Sequence, residues 1–181
     1  MTRILLTGPP RCGKTTVVQK VVAGFPGKAA GFYTREVRKH GRRLGFEIVT
    51  LAGDAALLSH VDFAGLYRVG KYGVSLENFH RVALPALTVG PGIDLIVVDE
   101  VGKMECFSAR FVAALESLWR QPVPLLVTVA AKGGGYIAAI KAKPDKTLIT
   151  VTPANRDELP AYILKLLAGD SRIPPPAGGY S

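Results

Sequence analysis

Several features that mark secreted, membrane-spanning or disordered proteins are scarce in this sequence of 181 residues. Two cysteines, Cys12 and Cys106, are too few for the disulfide framework of a small secreted domain. The first apolar stretch reaches Gly8 after three apolar residues, and no run approaches the ~20 residues that cross a membrane. These absences predict a cytoplasmic protein that has no membrane partner.

Acidic residues are also few: 14 Asp and Glu stand against 23 Lys and Arg, which gives a net charge of +9. This excess indicates an anionic partner, which is a nucleotide, a nucleic acid or an acidic membrane surface. Hydrophobic residues make up 48% of the chain, which excludes a disordered or fibrous protein. The length predicts one domain over residues 1–168, and the proline- and glycine-rich residues 169–181 predict a disordered tail.

The alternation of apolar segments with candidate helices predicts an α/β fold, in which helices flank a mostly parallel central sheet. Buried strands are expected at residues 4–6, 94–99, 124–129 and 147–151, and helices at about 14–23, 76–87, 111–118, 137–141 and within 155–168. Strand-like residues 32–37 and 44–49 flank His40-Gly41, which predicts an antiparallel β-hairpin inserted after the first helix. Residues 52–74 are expected to be loop with short elements.

Three helix boundaries also follow from local chemistry. Ser75 is expected to cap the helix that begins at residue 76. Pro85 is expected to kink that helix or to end it. Asn155 and Glu158 have the spacing of a capping box, which predicts the start of the last helix there.

Residues 8–15 match the phosphate-loop pattern G-x-x-x-x-G-K-[ST] at every fixed position, between a predicted strand and a predicted helix. Gly8 and Gly13 let the backbone curl so that N–H groups point inward, and the helix adds its positive N-terminal end. Lys14 is placed to reach the β- and γ-phosphates, Thr15 to bind Mg²⁺, and Thr16 to help hold the α-phosphate. The rest of the predicted nucleotide-binding loop is Pro9, Pro10, Arg11 and Cys12. The motif predicts nucleoside-triphosphate binding and leaves the reaction open.

A second acidic motif follows the apolar run at residues 95–98. Asp99 stands where P-loop proteins carry the acid that helps to hold Mg²⁺. Glu100 comes next and is a candidate general base for an attacking water, which favours hydrolysis. Glu105 is a second candidate for the base, a metal ligand or an ion-pair partner of Lys103. The alternative is that Asp99 caps a strand end and that Glu100 is solvated.

Seven stretches of the sequence together resemble a known family. They are residues 6–16, 31–38, 43–51, 69–74, 83–87, 99–105 and 155–156. Gly-Phe-Tyr-Thr at 31–34 and Asp-Glu-Val-Gly-Lys-Met-Glu at 99–105 are far more specific than a phosphate loop alone. The sequence resembles the small Walker-motif nucleoside-triphosphatases, a group that includes thermophile enzymes and the vertebrate cancer-related nucleoside-triphosphatase.

The resemblance implies a P-loop α/β fold and Mg²⁺-dependent hydrolysis of ATP, GTP, CTP and UTP to diphosphate and phosphate. It implies that residues 8–15 form the first nucleotide segment and residues 99–105 the second. The second segment consists of Asp99, Glu100, Val101, Gly102, Lys103, Met104 and Glu105. The sequence departs from the family at Arg11, where a small residue is common, and at Arg35, where an acid is often found.

Other basic and polar residues have more than one interpretation. The predicted hairpin tip is crowded by Arg35, Arg38, Lys39, Arg42 and Arg43. One of them is a candidate arginine finger for the γ-phosphate, while the alternatives are a nucleic-acid contact and a solvated tip. Thr128 is either a γ-phosphate sensor or an ordinary strand residue. Arg156 is predicted to stack on the nucleotide base, which would tolerate any base.

Three functions remain open from the sequence, of which a Mg²⁺-dependent nucleoside-triphosphatase is favoured. The second is a P-loop kinase for a small molecule or a nucleic-acid end, with a basic lid over residues 132–143. The third is a nucleotide-switched RNA-binding module, although no nucleic-acid-binding motif supports it. Nucleoside triphosphates are the expected partners, and a monomer is the expected state.

Overall fold

The computed structural model describes residues 1–170 and Pro176, so the predicted tail lies outside the described residues from residue 171 onwards, Pro176 excepted. The strands are β1 (Arg3–Thr7), β2 (Ala29–Lys39), β3 (Arg42–Thr50), β4 (Ala55–His60), β5 (Arg68–Val69), β6 (Tyr72–Val74), β7 (Leu95–Val101), β8 (Leu125–Val129) and β9 (Thr147–Thr150). The helices are α1 (Lys14–Gly24), α2 (Leu76–Ala86), α3 (Ala109–Arg120), α4 (Tyr136–Ala142) and α5 (Leu159–Leu167), with a single 3₁₀ turn at Glu105–Phe107. In this part of the chain, the strands form one nine-stranded sheet in the order β5-β6-β4-β3-β2-β7-β8-β1-β9.

The predicted α/β architecture is confirmed in the half of the sheet that runs from β2 to β9. There β2, β7, β8, β1 and β9 are all parallel. Successive strand residues alternate between two cores: Leu5 packs with α2, α3 and α4, whereas Ile4 and Leu6 pack with α1 and α5. Helices therefore cover both faces, which explains why these strands read as continuous apolar runs.

The other half of the sheet is antiparallel and begins with the predicted hairpin. β2 and β3 pair around a turn at His40 and Gly41, which both have positive φ. β4, β6 and β5 then extend the sheet, so the expectation of loop with short elements at residues 52–74 understated the structure. β4 was missed because its sequence does not alternate cleanly, and its pairing with β3 is a tertiary contact. A Cβ on Gly45 would lie 1.9 Å from the Ser59 carbonyl oxygen, so glycine permits that pairing.

The predicted helix boundaries hold for α2 and fail for α5. Ser75 Oγ accepts a hydrogen bond from the Asn78 N–H at 3.3 Å, and Pro85 lies in the last turn of α2. The capping box at Asn155 and Glu158 is wrong, because α5 begins at Leu159 without a side-chain cap. The Asn155 side chain is instead engaged by the preceding loop.

The carboxyl ends of the parallel strands place the candidate site at one edge of the sheet. β7 does not close at Asp99, as the sequence suggested, but continues to Val101. β2 pairs with β7 up to Tyr33 opposite Asp99, and the rest of the hairpin extends beyond this edge. The phosphate loop leaves β1 at the same edge, so the hairpin projects on the side of the phosphate loop.

Among the described residues, no helix is both long and apolar enough to cross a membrane.

Candidate functional site

The phosphate loop connects β1 to α1 and presents an open helix N-terminus. Gly13 is the N-cap of α1 at φ 111°, with no side-chain cap on the helix. Gly8 has φ 148°, and a Cβ there would lie 2.7 Å from the Val151 carbonyl oxygen, so the loop packs directly on the segment after β9. Cys12 is buried with its Sγ against Gly8. The uncapped N–H groups at the start of the helix are suited to bind an anion.

Lys14 reaches back across the phosphate loop. Its side chain is 8% exposed, and Nζ donates to the carbonyl oxygens of Gly8 at 3.1 Å and Pro9 at 3.5 Å. The same Nζ lies 3.7 Å from Glu100 Oε2. The ammonium group therefore joins the loop to the acidic segment of β7, in the position the motif predicts for a phosphate contact.

Asp99 is buried at the carboxyl end of the sheet. The Thr128 hydroxyl donates to its Oδ1, while its buried Oδ2 has no hydrogen-bond partner among the described residues. Burial raises the pKa of Asp99, against the opposing effects of the Thr128 and Thr15 hydroxyls and of Lys14. β8 lies between β7 and β1, so Thr128 stands between the acidic segment and the phosphate loop.

The oxygens of Thr15 and Asp99 fit the expected Mg²⁺. Mg²⁺ prefers oxygen ligands and is commonly held by one or two side chains together with substrate phosphates. Asp99 Oδ2, which has no hydrogen-bond partner among the described residues, is such an oxygen, and the Thr15 hydroxyl lowers the pKa of Asp99. No group of three or more His, Cys, Asp or Glu side chains in the described residues is arranged to hold a metal alone. An ion at this site would therefore need the oxygens of a nucleotide.

Glu100 and Glu105 differ in their surroundings. The Glu100 side chain is 33% exposed; burial raises its pKa, while Lys14 lowers it. Glu105 is buried, its Oε2 accepts the Gly102 N–H at 3.1 Å, and burial raises its pKa to about 8. Glu100 thus faces the open site, whereas Glu105 braces the loop that follows β7.

The remaining residues of the second segment do not all face the site. Val101 is fully buried in the core, and Met104 packs against the same core. Lys103 is exposed. A Cβ on Gly102 would lie 2.9 Å from Glu105 Oε2 and 3.1 Å from Glu100 Oε1, so glycine lets the loop turn between the two carboxyl groups.

Asn155 and Arg156 flank the other side of the phosphate loop. Asn155 is buried; its Nδ2 donates to the Thr150 carbonyl at 2.9 Å, and its Oδ1 accepts from the Thr152 N–H at 2.9 Å. These bonds hold the loop that brings the Arg156 side chain over Gly13, whose added Cβ would lie 3.2 Å from Arg156 Cδ. The sequence analysis missed this organising role, although threonine three residues before asparagine after a buried strand is a signal for it.

Three of the five basic residues of the hairpin pair with its two acids, so the hairpin keeps a net positive charge. Arg35 Nε lies 2.5 Å from Glu47 Oε2, and Arg38 and Arg43 both pair with Glu36. Lys39 and Arg42 are exposed at the tip.

The sequence is similar to known proteins over most of its length. A family model described as NTPase matches residues 3–164. The sequence is 40% identical over 167 residues to "Nucleoside-triphosphatase THEP1" of Natranaerobius thermophilus, with 90% of this chain and 94% of that protein covered. It is 39% identical over 178 residues to the human "Cancer-related nucleoside-triphosphatase", with 86% and 91% covered.

Two solved structures share the fold. The crystal structure of THEP1 from the hyperthermophile Aquifex aeolicus gives a TM-score of 0.84 at 34% identity and covers 92% of this chain and 99% of that one. The solution structure of a human cancer-related nucleoside triphosphatase gives a TM-score of 0.79 at 36% identity, with 96% and 100% covered. The similarity therefore extends over nearly the whole length of both neighbours. The family model's match, over residues 3–164, spans both candidate nucleotide segments.

Proposed function

Since the chain belongs to the NTPase family, whose named relatives are nucleoside-triphosphatases, we propose that it is a Mg²⁺-dependent enzyme that hydrolyses nucleoside triphosphates to diphosphate and phosphate. One observation carries the proposal. Lys14 Nζ bridges the phosphate loop and Glu100, 3.7 Å from Glu100 Oε2, and Asp99 Oδ2 has no hydrogen-bond partner among the described residues. This arrangement combines an anion site, oxygen ligands for a metal and a carboxylate base.

In the proposed reaction, a water oxygen attacks the γ-phosphorus while the bond to the β-phosphate oxygen breaks. The electron pair of that bond stays on the β-phosphate oxygen, and the water proton passes to the Glu100 carboxylate. Lys14 and the loop N–H groups stabilise the charge on the transferred group. Bound Mg²⁺ would neutralise charge on the β- and γ-phosphate oxygens, with Thr15 and Asp99 holding it.

Glu100 is assigned as the base rather than Glu105. A pKa of about 8 leaves Glu105 mostly protonated at neutral pH, and its Oε2 already accepts the Gly102 N–H. Glu100 is more exposed; burial raises its pKa as well, but Lys14 lies beside it and its charge favours the ionised carboxylate. Glu105 is therefore proposed to hold the loop in which Glu100 is presented.

Broad base tolerance is part of the proposal and rests on Arg156. Its side chain crosses Gly13 beside the phosphate loop. A guanidinium plane stacks on any base, since every base has a π face. A site that recognises the base by stacking would thus bind ATP, GTP, CTP and UTP with similar affinity.

The two alternative functions receive less support from the contacts. A kinase lid over residues 132–143 would need free basic residues, but Lys141 donates to the carbonyl oxygens of Ala130 and Ala131, and Lys143 pairs with Glu116 at 2.8 Å. Of the three lysines in this segment, Lys132 alone has no side-chain partner among the described residues. The hairpin that would bind RNA has three of its arginines paired with acids.

The test is steady-state phosphate release from the purified protein with each of the four nucleotides, with and without Mg²⁺. We expect release from all four without any added acceptor, and loss of release when Mg²⁺ is withheld. The Lys14→Ala variant, purified in the same way, shows whether the activity belongs to this protein. Phosphate transfer that requires an added acceptor would instead identify a kinase.

A further inference from the structure

Arg11 is a basic residue of the phosphate loop to which the proposed reaction assigns no role. Its side chain is exposed and makes no hydrogen bond or ion pair with any described residue. Its neighbour Cys12 is buried against Gly8, so the loop is anchored directly beside it. Arg11 is thus an unpaired cation on a fixed piece of backbone.

The backbone at Arg11 indicates that the side chain is retained for a reason. Arg11 has φ 64°, in the left-handed region that glycine adopts without cost and a long side chain does not. Non-glycine residues in this region concentrate at functional sites. Glycine would adopt this backbone conformation at lower cost. The presence of arginine therefore indicates a role for its guanidinium group other than forming the turn.

Some of the other cations at this edge of the sheet are engaged or distant, while Lys103, Lys132 and Arg156 are exposed without a side-chain partner among the described residues but lie outside the phosphate loop. Lys14 is held by loop carbonyl oxygens and Glu100, and Arg35 by Glu47. Lys39, at the hairpin tip, lies six residues beyond Tyr33, which is level with Asp99. At about 3.3 Å per strand residue, that is ~20 Å from the acidic segment.

The position of Arg11 suits a cation that acts on the γ-phosphate. It lies three residues before Lys14, in the loop that is proposed to wrap the phosphates. A guanidinium presents two parallel N–H donors that match a pair of phosphate oxygens. An arginine finger supplied from within the same chain uses this chemistry.

We propose that Arg11 is a catalytic residue for the hydrolysis assigned above, acting as an arginine finger supplied in cis. Its guanidinium donates hydrogen bonds to the γ-phosphate oxygens while the bond to the β-phosphate oxygen breaks. The leaving electron pair remains on the diphosphate, and the water proton goes to Glu100, so Arg11 gains and loses no proton. The inference rests on the proposed function.

The experiment compares Arg11→Gly and Arg11→Lys with Arg35→Ala, the nearest hairpin competitor. Arg81→Ala is the matched control, because Arg81 is exposed on α2 and lines a cavity with Lys28 and Ala29, at the edge where β2 begins. For each variant, kcat and KM for ATP are measured, together with the Kd for ADP alone and for ADP with Mg²⁺ and aluminium fluoride. Thermal unfolding checks the fold.

We expect Arg11→Gly to lower kcat by at least ~30-fold, short of the 10³–10⁵-fold attributed to arginine fingers in general. ADP binding should change less than threefold, whereas binding of the aluminium fluoride complex should weaken in proportion to kcat. Arg11→Lys should recover part of kcat, because it restores the charge without the paired donors. Arg11→Gly should unfold at the wild-type temperature or above, because glycine fits the backbone.

Three results would overturn the inference. The first is an Arg11→Gly kcat within threefold of the wild type, and the second is a loss that appears equally in ADP binding. The third is a large loss in Arg35→Ala with none in Arg11→Gly, which would move the finger to the hairpin. If the wild-type protein releases no phosphate, the proposed function is overturned together with the role of Arg11. If the wild type is active and Arg11→Gly is equally active, only the role of Arg11 is overturned.

Discussion

The hairpin formed by β2 and β3 and the phosphate loop are both basic, but they differ in what surrounds their charges. In the hairpin, the half-buried Glu36 and Glu47 lie within 2.5–2.7 Å of three arginines. The acids that face the phosphate loop are instead buried or shared with Lys14. A count of basic residues therefore gives the charge of a region. Its capacity to bind an anion depends on the basic side chains that have no acidic partner.

The largest difference in kcat between the two regions is expected when a carboxylate of each is replaced. Glu100→Gln should lower kcat for phosphate release by ~10²–10⁴-fold while nucleotide still binds, because it removes the proposed general base and keeps the shape. Glu47→Gln in the hairpin is the matched variant and should leave kcat within twofold. Steady-state phosphate release and nucleotide titration measure both. Near-normal turnover of Glu100→Gln would transfer the base role to Glu105.

The next largest effect is expected at the lysines. Lys14→Ala should reduce kcat/KM by ~10²–10³-fold, since it removes a donor that faces the transferred phosphoryl group. Lys39→Ala, at the hairpin tip, should have no effect beyond twofold. A comparable loss in both variants would mean that the hairpin closes on the nucleotide, contrary to the proposed division of roles.

The two regions should also differ in the sign of their pH dependence. Burial raises the pKa of Glu105 to about 8 from an ordinary 4.5, so the folded state holds its proton more tightly and stability falls as pH rises through this window. Glu105→Gln should therefore flatten the decline of the unfolding free energy between pH 5 and 9, by up to about 4 kcal/mol. Urea denaturation of the nucleotide-free protein measures this.

Glu36→Gln in the hairpin serves as the opposite case. Hydrogen bonds from Arg43 and Arg38 lower the pKa of Glu36, so its contribution is present at neutral pH and is lost as pH falls through its lowered pKa. The variant should lose stability at pH 7 and little at acid pH. Equal slopes for Glu105→Gln and the wild type would show that Glu105 ionises freely in the folded protein.

The smallest effect is expected at Arg35. Its ion pair with Glu47 is exposed, and such pairs contribute less than ~1 kcal/mol. Arg35→Ala should therefore change stability by less than ~1 kcal/mol and kcat by less than threefold. A larger change in kcat at constant stability would show that Arg35 leaves Glu47 to contact the nucleotide.

Part of the site was predictable because its chemistry is local. Residues 8–15 and the pair Asp99-Glu100 carry their roles in consecutive positions, and the structure brings these segments together through Lys14 and Glu100. Thr128 was left between two interpretations, since only sheet order places its hydroxyl against Asp99. Asn155 was read as a helix cap because sequence spacing does not reveal that its side chain bonds to the preceding loop.

The fold shows the same division. The parallel strands and the helices were predicted from continuous apolar runs and helical periodicity, which are properties of short segments. β4 was not predicted as a strand, because Ala55–His60 pairs with β3 and no pattern within that segment predicts the pairing. Whether such a segment forms a strand depends on the neighbouring strand as well as on its own residues.

By itself, the sequence determined the phosphate loop, the acidic segment and the α/β class, because each depends on residues that are near one another in the chain. Which basic side chains remain without an acidic partner depends on the tertiary structure. It paired Arg35, Arg38 and Arg43 with acids, buried Glu105 and left Arg11 without a side-chain partner among the described residues. The physical reason is that a charge acts through its distance to other charges and its exposure to water, and folding determines both.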